Sequence, residues 1–258
     1  MKLDFEEHGS GFPVVLLHAF PLSRQMWKPQ IASLATQNIR LILPDLYGFG
    51  GTGIEGDISR LEEMAADIGA LIDRLGIKQA VIGGLSMGGY VTFNLYRLRP
   101  ELFRAMILCD TNSAADTQEK RENRFKLIEN VIENGTQALI DNMLPNLTGS
   151  FTKANNKDLT AKLTRMFAET DPLAAIAALR GMAERSDHTY LLPEIEVPTL
   201  LIFGEEDELT DLKIAEGMHE KIKDSRLSVI KDAGHYSNLE QPEQFDQAVV
   251  SFIREIIG

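Results

Sequence analysis

A chain of 258 residues with 44% hydrophobic content can bury one large core, and single α/β domains reach this length. Its net charge of −12 repels phosphate backbones and anionic lipid heads, and no Lys/Arg block offsets it, so neither nucleic acid nor a membrane is an expected partner. Cys109 is the only cysteine, which excludes an intrachain disulfide and a cysteine-based metal site and leaves it as a small apolar packing residue.

Residues 2–8 read as a short opening strand closed by the turn Gly9-Ser10-Gly11, and residues 13–18 are a continuous apolar run of buried-strand type. Residues 26–36 can form a helix that accommodates Pro29 in its first turns; residues 40–43 are another apolar strand, and residues 44–53 a glycine-dense loop. Across 58–75, Leu61, Met64, Ala65, Ile68, Leu71, Ile72 and Leu75 recur with the period of an amphipathic helix. Residues 80–82 close a further apolar run, which leads through Gly84-Leu85-Ser86-Met87-Gly88 into a helix-compatible segment, and residues 104–109 are the next strand. From about 112 to 187 the alternation stops. This stretch is polar and helical in period, broken at Gly135, Pro145 and Pro172, and contains no convincing strand. Strand and helix then alternate again, with strands at 197–203 and 226–230 and helices near 211–223 and at 242–257. The expected fold class is α/β: a mostly parallel sheet flanked by helices, its core formed by 1–111 and 188–258, with 112–187 inserted as a helical cap. The apolar runs are strand-sized rather than membrane-spanning and no signal-like stretch opens the chain, so a cytoplasmic protein is expected.

Ser86 is the candidate nucleophile. A serine at the tip of a sharp strand-to-helix turn sits in a strained backbone conformation with no room for side chains two positions either side, and Gly84 and Gly88 fill those places. Turning straight into a helix also leaves the Met87 amide unpaired near the helix's positive end, aimed where an oxyanion would form. A serine hydroxyl needs a base, and the base needs a carboxylate to hold its tautomer. His235, just beyond a predicted strand, is the expected base; His8, His188 and His219 sit in polar, surface-like stretches. Asp207 follows the strand ending at Phe203, at a carboxyl end where open α/β sheets place their sites, and Asp110, at the end of its own strand, is the reserve acid. No histidine pair has metal-ligand spacing, so no metal is expected.

With these residues in place the chain resembles the α/β-hydrolase superfamily over nearly its whole length, and is most similar to small capped esterases, enol-lactonases and cofactor-free haloperoxidase-like enzymes. The resemblance implies Ser86 as elbow nucleophile, Asp207 as acid and His235 as base, with the amides of Phe20 and Met87 as oxyanion hole; Ala19 stands where the family usually has glycine. Asp45, Gly48 and Gly50 resemble the family's structural Asp-x-x-Gly-x-Gly turn, and His18 is expected to orient the oxyanion loop by hydrogen bonding. Serine at the elbow argues against dehalogenase and epoxide hydrolase relatives, which place aspartate there, and Met87 argues against prolyl aminopeptidases, which usually carry tryptophan.

The expected activity is hydrolysis of small carboxylic esters or lactones through an acyl-enzyme, with no cofactor. Perhydrolysis at the same triad and a non-catalytic ligand receptor are the alternatives. Met143, Leu144, Phe151, Met166, Phe167, Leu173 and Met182 recur in the cap. Together with Phe20 and Trp27 they predict a closed, mostly apolar pocket for short, uncharged acyl groups, with Trp27, Met143 and Phe167 as lining residues.

Overall fold

Seven strands are β1 (Phe5–Gly9), β2 (Phe12–Leu17), β3 (Ile39–Pro44), β4 (Ala80–Leu85), β5 (Phe103–Cys109), β6 (Thr199–Gly204) and β7 (Ser225–Ile230). In the computed structural model, which describes residues 2–258, they form one sheet in the order β1-β3-β2-β4-β5-β6-β7. β1 lies antiparallel to β3, with His8 opposite Leu41, and every other neighbouring pair is parallel. Continuous apolar runs suit strands covered on both faces. All six residues of β4 and of β6 are buried, whereas at the edge strand β7 only Ile230 is.

The helices α1 (Lys28–Leu34), α2 (Leu61–Arg74) and α3 (Met87–Leu98) follow β2, β3 and β4 respectively. Five more, α4 (Gln118–Asn134), α5 (Gln137–Asn142), α6 (Ser150–Asn155), α7 (Lys157–Ala168) and α8 (Pro172–Ala183), all lie between β5 and β6. α9 (Leu212–His219), α10 (Ser237–Glu240) and α11 (Pro242–Ile257) complete the chain. Among the described residues no strand falls within 112–187, and no helix is long and apolar enough to cross a membrane.

The amphipathic stripe does its expected work in α2: Leu61, Met64, Ala65, Ile68, Leu71 and Ile72 are buried, and Leu75, just past the helix end, is half-buried. Two predicted helix starts move. Residues 58–60 are not helical, because the Ser59 N–H donates to Ala177 O on α8 at 3.0 Å and this tertiary bond replaces a turn of helix. Residues 24–27 form a tighter turn, Arg24–Trp27, before α1, where Pro29 takes an early position that needs no backbone donor. The helix expected over 211–223 ends at His219, and the Ser225 hydroxyl lies within hydrogen-bonding distance of the His219 and Ile222 carbonyls.

Parallel strands bring their carboxyl ends to one edge of the sheet, so the loops after β2, β4, β6 and β7 meet there. Those loops carry Phe20, Ser86, Asp207 and His235.

Candidate active site

Ser86 joins β4 to α3 with φ 54° and ψ −111°, a left-handed conformation that costs a non-glycine residue on the order of 1–3 kcal/mol. The flanking glycines make it possible. A Cβ on Gly84 would lie 2.3 Å from the Gly88 carbonyl carbon, and one on Gly88 would lie 2.3 Å from the Leu17 carbonyl oxygen. The elbow is also tied to the end of β5: the Ser86 N–H donates to Cys109 O (2.9 Å), and Thr111 Oγ1 donates to Ser86 O (2.8 Å). Met87 opens α3, so its N–H has no intrahelical acceptor and stays available at the positive end of the helix.

The structure brings His235 and Asp207 together. His235 Nδ1 lies 2.8 Å from Asp207 Oδ2, and both side chains are buried. Asp207 is held by its own turn: Leu209 and Thr210 donate backbone N–H groups to Oδ1, and Thr210 Oγ1 donates to Oδ2 at 2.5 Å. Because Oδ2 is an acceptor, Nδ1 carries the proton and Nε2 is left as the acceptor. The Ser86 hydroxyl makes no hydrogen bond among the described residues; it opens onto the same cavity as His235.

Asp110 lies deeper, fully buried, accepting from the Gly204 N–H (2.7 Å) and Ser237 Oγ (2.5 Å) rather than from His235. The two carboxyls are driven apart. Burial and the nearby Asp207 charge push Asp110 well above the ordinary carboxylate range, whereas for Asp207 the His235 charge and hydrogen bonds outweigh burial and hold it low. Burial pulls His235 down, but the charge and hydrogen bond of Asp207, with Asp110 and Glu240 adding to them, outweigh it and leave the imidazole above its ordinary 6.5.

Phe20 borders the cavity, and its carbonyl accepts from Tyr236 Oη at 3.2 Å, which orients that peptide. His18 is buried and bridges two loops: Nδ1 donates to Ala19 O (3.0 Å), and Nε2 accepts the Leu46 N–H (2.9 Å). Burial holds its pKa low, which keeps that acceptor available. Asp45 anchors the following turn, accepting from the Arg24 and Gly51 N–H groups, both at 2.8 Å.

A cavity of ≈ 600 Å³ opens on Ser86 and His235. Met143 lines it, but two other residues expected there do not. Trp27 is fully buried in the core against Phe245, at 6.0 Å between ring centroids. Phe167 is fully buried against Tyr236, at 6.5 Å between ring centroids. Of the remaining apolar residues of the segment, Met182 reaches the cavity, while Phe151 and Leu173 are exposed. The wall is also less apolar than expected, since Asn112, Asp116, Arg124 and Arg185 belong to it. These residues lie in polar stretches with no motif around them, so composition hides them. His188 is a further correction: it is buried, stacked on Phe93 at 6.3 Å, and neither ring nitrogen has a partner. A separate cavity of ≈ 360 Å³ beside Arg24, Asp45 and Gly50 contains none of the candidate catalytic residues. Among the described residues no cluster of His, Cys, Asp and Glu could hold a metal ion.

Residues 13–242 match the model of the alpha/beta hydrolase fold family, a span that runs from within β2 to beyond His235. The chain belongs to the α/β-hydrolase family. A curated relative within it, 3-oxoadipate enol-lactonase 1 of Acinetobacter baylyi, is 28% identical over 94% of this chain and 89% of its own length. A putative non-heme chloroperoxidase of Synechocystis is 26% identical over 97% of this chain and 94% of its own. Among solved structures, the malate-bound form of a thermophilic esterase from Thermogutta terrifontis superposes with a TM-score of 0.96 at 39% identity, covering 99% of this chain and 94% of that one.

Proposed function

We propose that this α/β-hydrolase is a serine hydrolase of small carboxylic esters or lactones. The observation that carries this reading is the 2.8 Å bond between His235 Nδ1 and Asp207 Oδ2 beside a serine held at φ 54° on the same cavity. Ser86 Oγ attacks the acyl carbon as His235 Nε2 takes its proton, and Asp207 stabilises the imidazolium that forms. The Phe20 and Met87 amides receive the oxyanion. His235 then returns the proton to the leaving alcohol, and water, activated by the same imidazole, releases the acid from Ser86. Residues 112–187 act as a cap, since Asn112, Met143, Leu147 and Met182 form part of the cavity wall above the elbow. Similarity to an enol-lactonase and to an esterase supports this chemistry. A second reading, in which peroxide replaces water as acyl acceptor, is favoured by similarity to a putative non-heme chloroperoxidase.

The test is turnover of p-nitrophenyl esters from acetate to palmitate and of simple lactones, with peroxide as a competing acceptor. A cavity of ≈ 600 Å³ predicts the best kcat/KM at short to medium chains, each accommodated methylene adding up to about 0.8 kcal/mol until the pocket ends. A preference for long-chain esters would sink the reading of 112–187 as a cap and point to an open groove.

His235 sets the pH dependence. It works as a base only when neutral, and its pKa is raised, so kcat/KM should be lost as pH falls through a single-proton midpoint above 6.5. A profile flat between about pH 5 and 8 would remove His235 from the mechanism.

A further inference from the structure

The chain carries a net charge of −12, yet one wall of the cavity above Ser86 has the opposite sign: Lys120, Arg124 and Arg185 stand against Asp116 and Glu119. Three of these groups form a single cluster. The Asp116 carboxylate, its side chain 1% exposed, accepts from Arg124 Nε at 2.5 Å and from the guanidinium of Arg185. Burial would raise the Asp116 pKa, but the two guanidiniums outweigh it and hold the carboxyl below its ordinary range. It stays ionised and balances only one of its two cations.

The donors are not used up. Arg185 spends Nε and Nη2 on Ala114 O, and its guanidinium carbon sits 4.3 Å over the Tyr90 ring, so it is fixed in place. Arg124 Nη1 faces only the Met182 sulfur, a weak acceptor, at 3.6 Å. Each guanidinium has five N–H groups, so both retain donors without a strong acceptor. The excess positive charge on this wall, where the Arg124 side chain is 20% exposed, can be offset by a partner anion through charge-assisted hydrogen bonds.

Position follows from the helix. The Tyr90 N–H donates to Ser86 O at 3.2 Å, which puts Tyr90 one turn, roughly 5 Å along the axis, from the nucleophile. On the reading of Ser86 as the nucleophile, we propose that the site takes short esters or lactones that themselves carry a carboxylate, received by Arg124 with Arg185 and Asp116 fixed behind it. The cavity remains apolar elsewhere, with Leu127, Met143 and Leu179 to cover the connecting methylenes.

Two substrate pairs test the idea: monomethyl glutarate against methyl pentanoate, and 4-acetoxybutyrate against butyl acetate. The anionic member of at least one pair should be favoured about 10- to 100-fold in kcat/KM, the scale of a charge-assisted hydrogen bond, and this ratio should shrink at about 1 M salt. Arg124→Gln should bring the ratio down toward one. Asp116→Asn, which frees both guanidiniums, should raise it; a cluster that merely braces the fold would depress both members of a pair alike and leave the ratio unmoved in both variants. Ratios near or below one in both pairs, with Ser86-dependent turnover of the neutral esters, overturn the inference and leave the hydrolase reading standing. If no ester is turned over, the hydrolase reading falls, and calorimetry of glutarate with Ser86→Ala decides the inference by itself. Binding that Arg124→Gln abolishes supports it; no binding overturns it.

Discussion

Replacing Ser86 with alanine should lower turnover of an activated aryl ester by on the order of 10⁶ and leave the far-ultraviolet circular dichroism unchanged. The size of the loss follows from the role. Without Oγ no acyl-enzyme forms, and the oxyanion donors and the base have no attacking atom to serve. The fold should survive, because the bonds that hold the elbow are made by the Ser86 backbone, to Cys109 O and from Thr111 Oγ1, and neither involves the side chain. A fluorophosphonate should label the wild-type protein at Ser86 and leave the variant unlabelled. A folded Ser86→Ala protein with full activity would falsify the assignment.

The sheet and the candidate triad were legible because each rests on local, short-range chemistry. β4 and β6 read directly as strands, since a strand buried on both faces needs an unbroken apolar run. The elbow read as well, because only glycine fits two residues either side of Ser86, a demand the 2.3 Å approaches at Gly84 and Gly88 make concrete. The cavity wall was not legible. Arg124 sits on α4 in a run of charged residues that resembles any solvated helix, and Arg185 follows the end of α8; only the tertiary fold turns both onto Asp116. Aromatic residues misled in the opposite sense: Trp27 and Phe167 are apolar and close in sequence to loops of the site, yet packing against Phe245 and Tyr236 claims them for the core. His188 looked like a surface residue because Asp187 and Thr189 flank it, whereas its ring is buried against Phe93.

The choice between two carboxylates is the remaining test of the site, and the structure makes it quantitative. Asp207→Asn should cost about 10⁴ in turnover, because an amide NH₂ placed at Oδ2 would oppose the Nδ1 proton, favour the other tautomer and leave Nε2 unable to accept from serine. The His235 pKa should also drop with the lost charge, so the residual activity of Asp207→Asn should titrate at lower pH than that of the wild type. Asp110→Asn should behave differently. Asp110 makes its hydrogen bonds to Gly204 and Ser237 rather than to His235, and burial with the Asp207 charge pushes its carboxyl above the ordinary range. An asparagine can keep accepting from the Gly204 N–H through its carbonyl oxygen and lose at most the bond with Ser237, a change worth about 1 kcal/mol or less than tenfold in rate. Turnover and pH profiles measured side by side on the two folded variants decide the matter: if Asp110→Asn is the crippled one, the catalytic acid sits at the end of β5 and the role given to Asp207 is wrong.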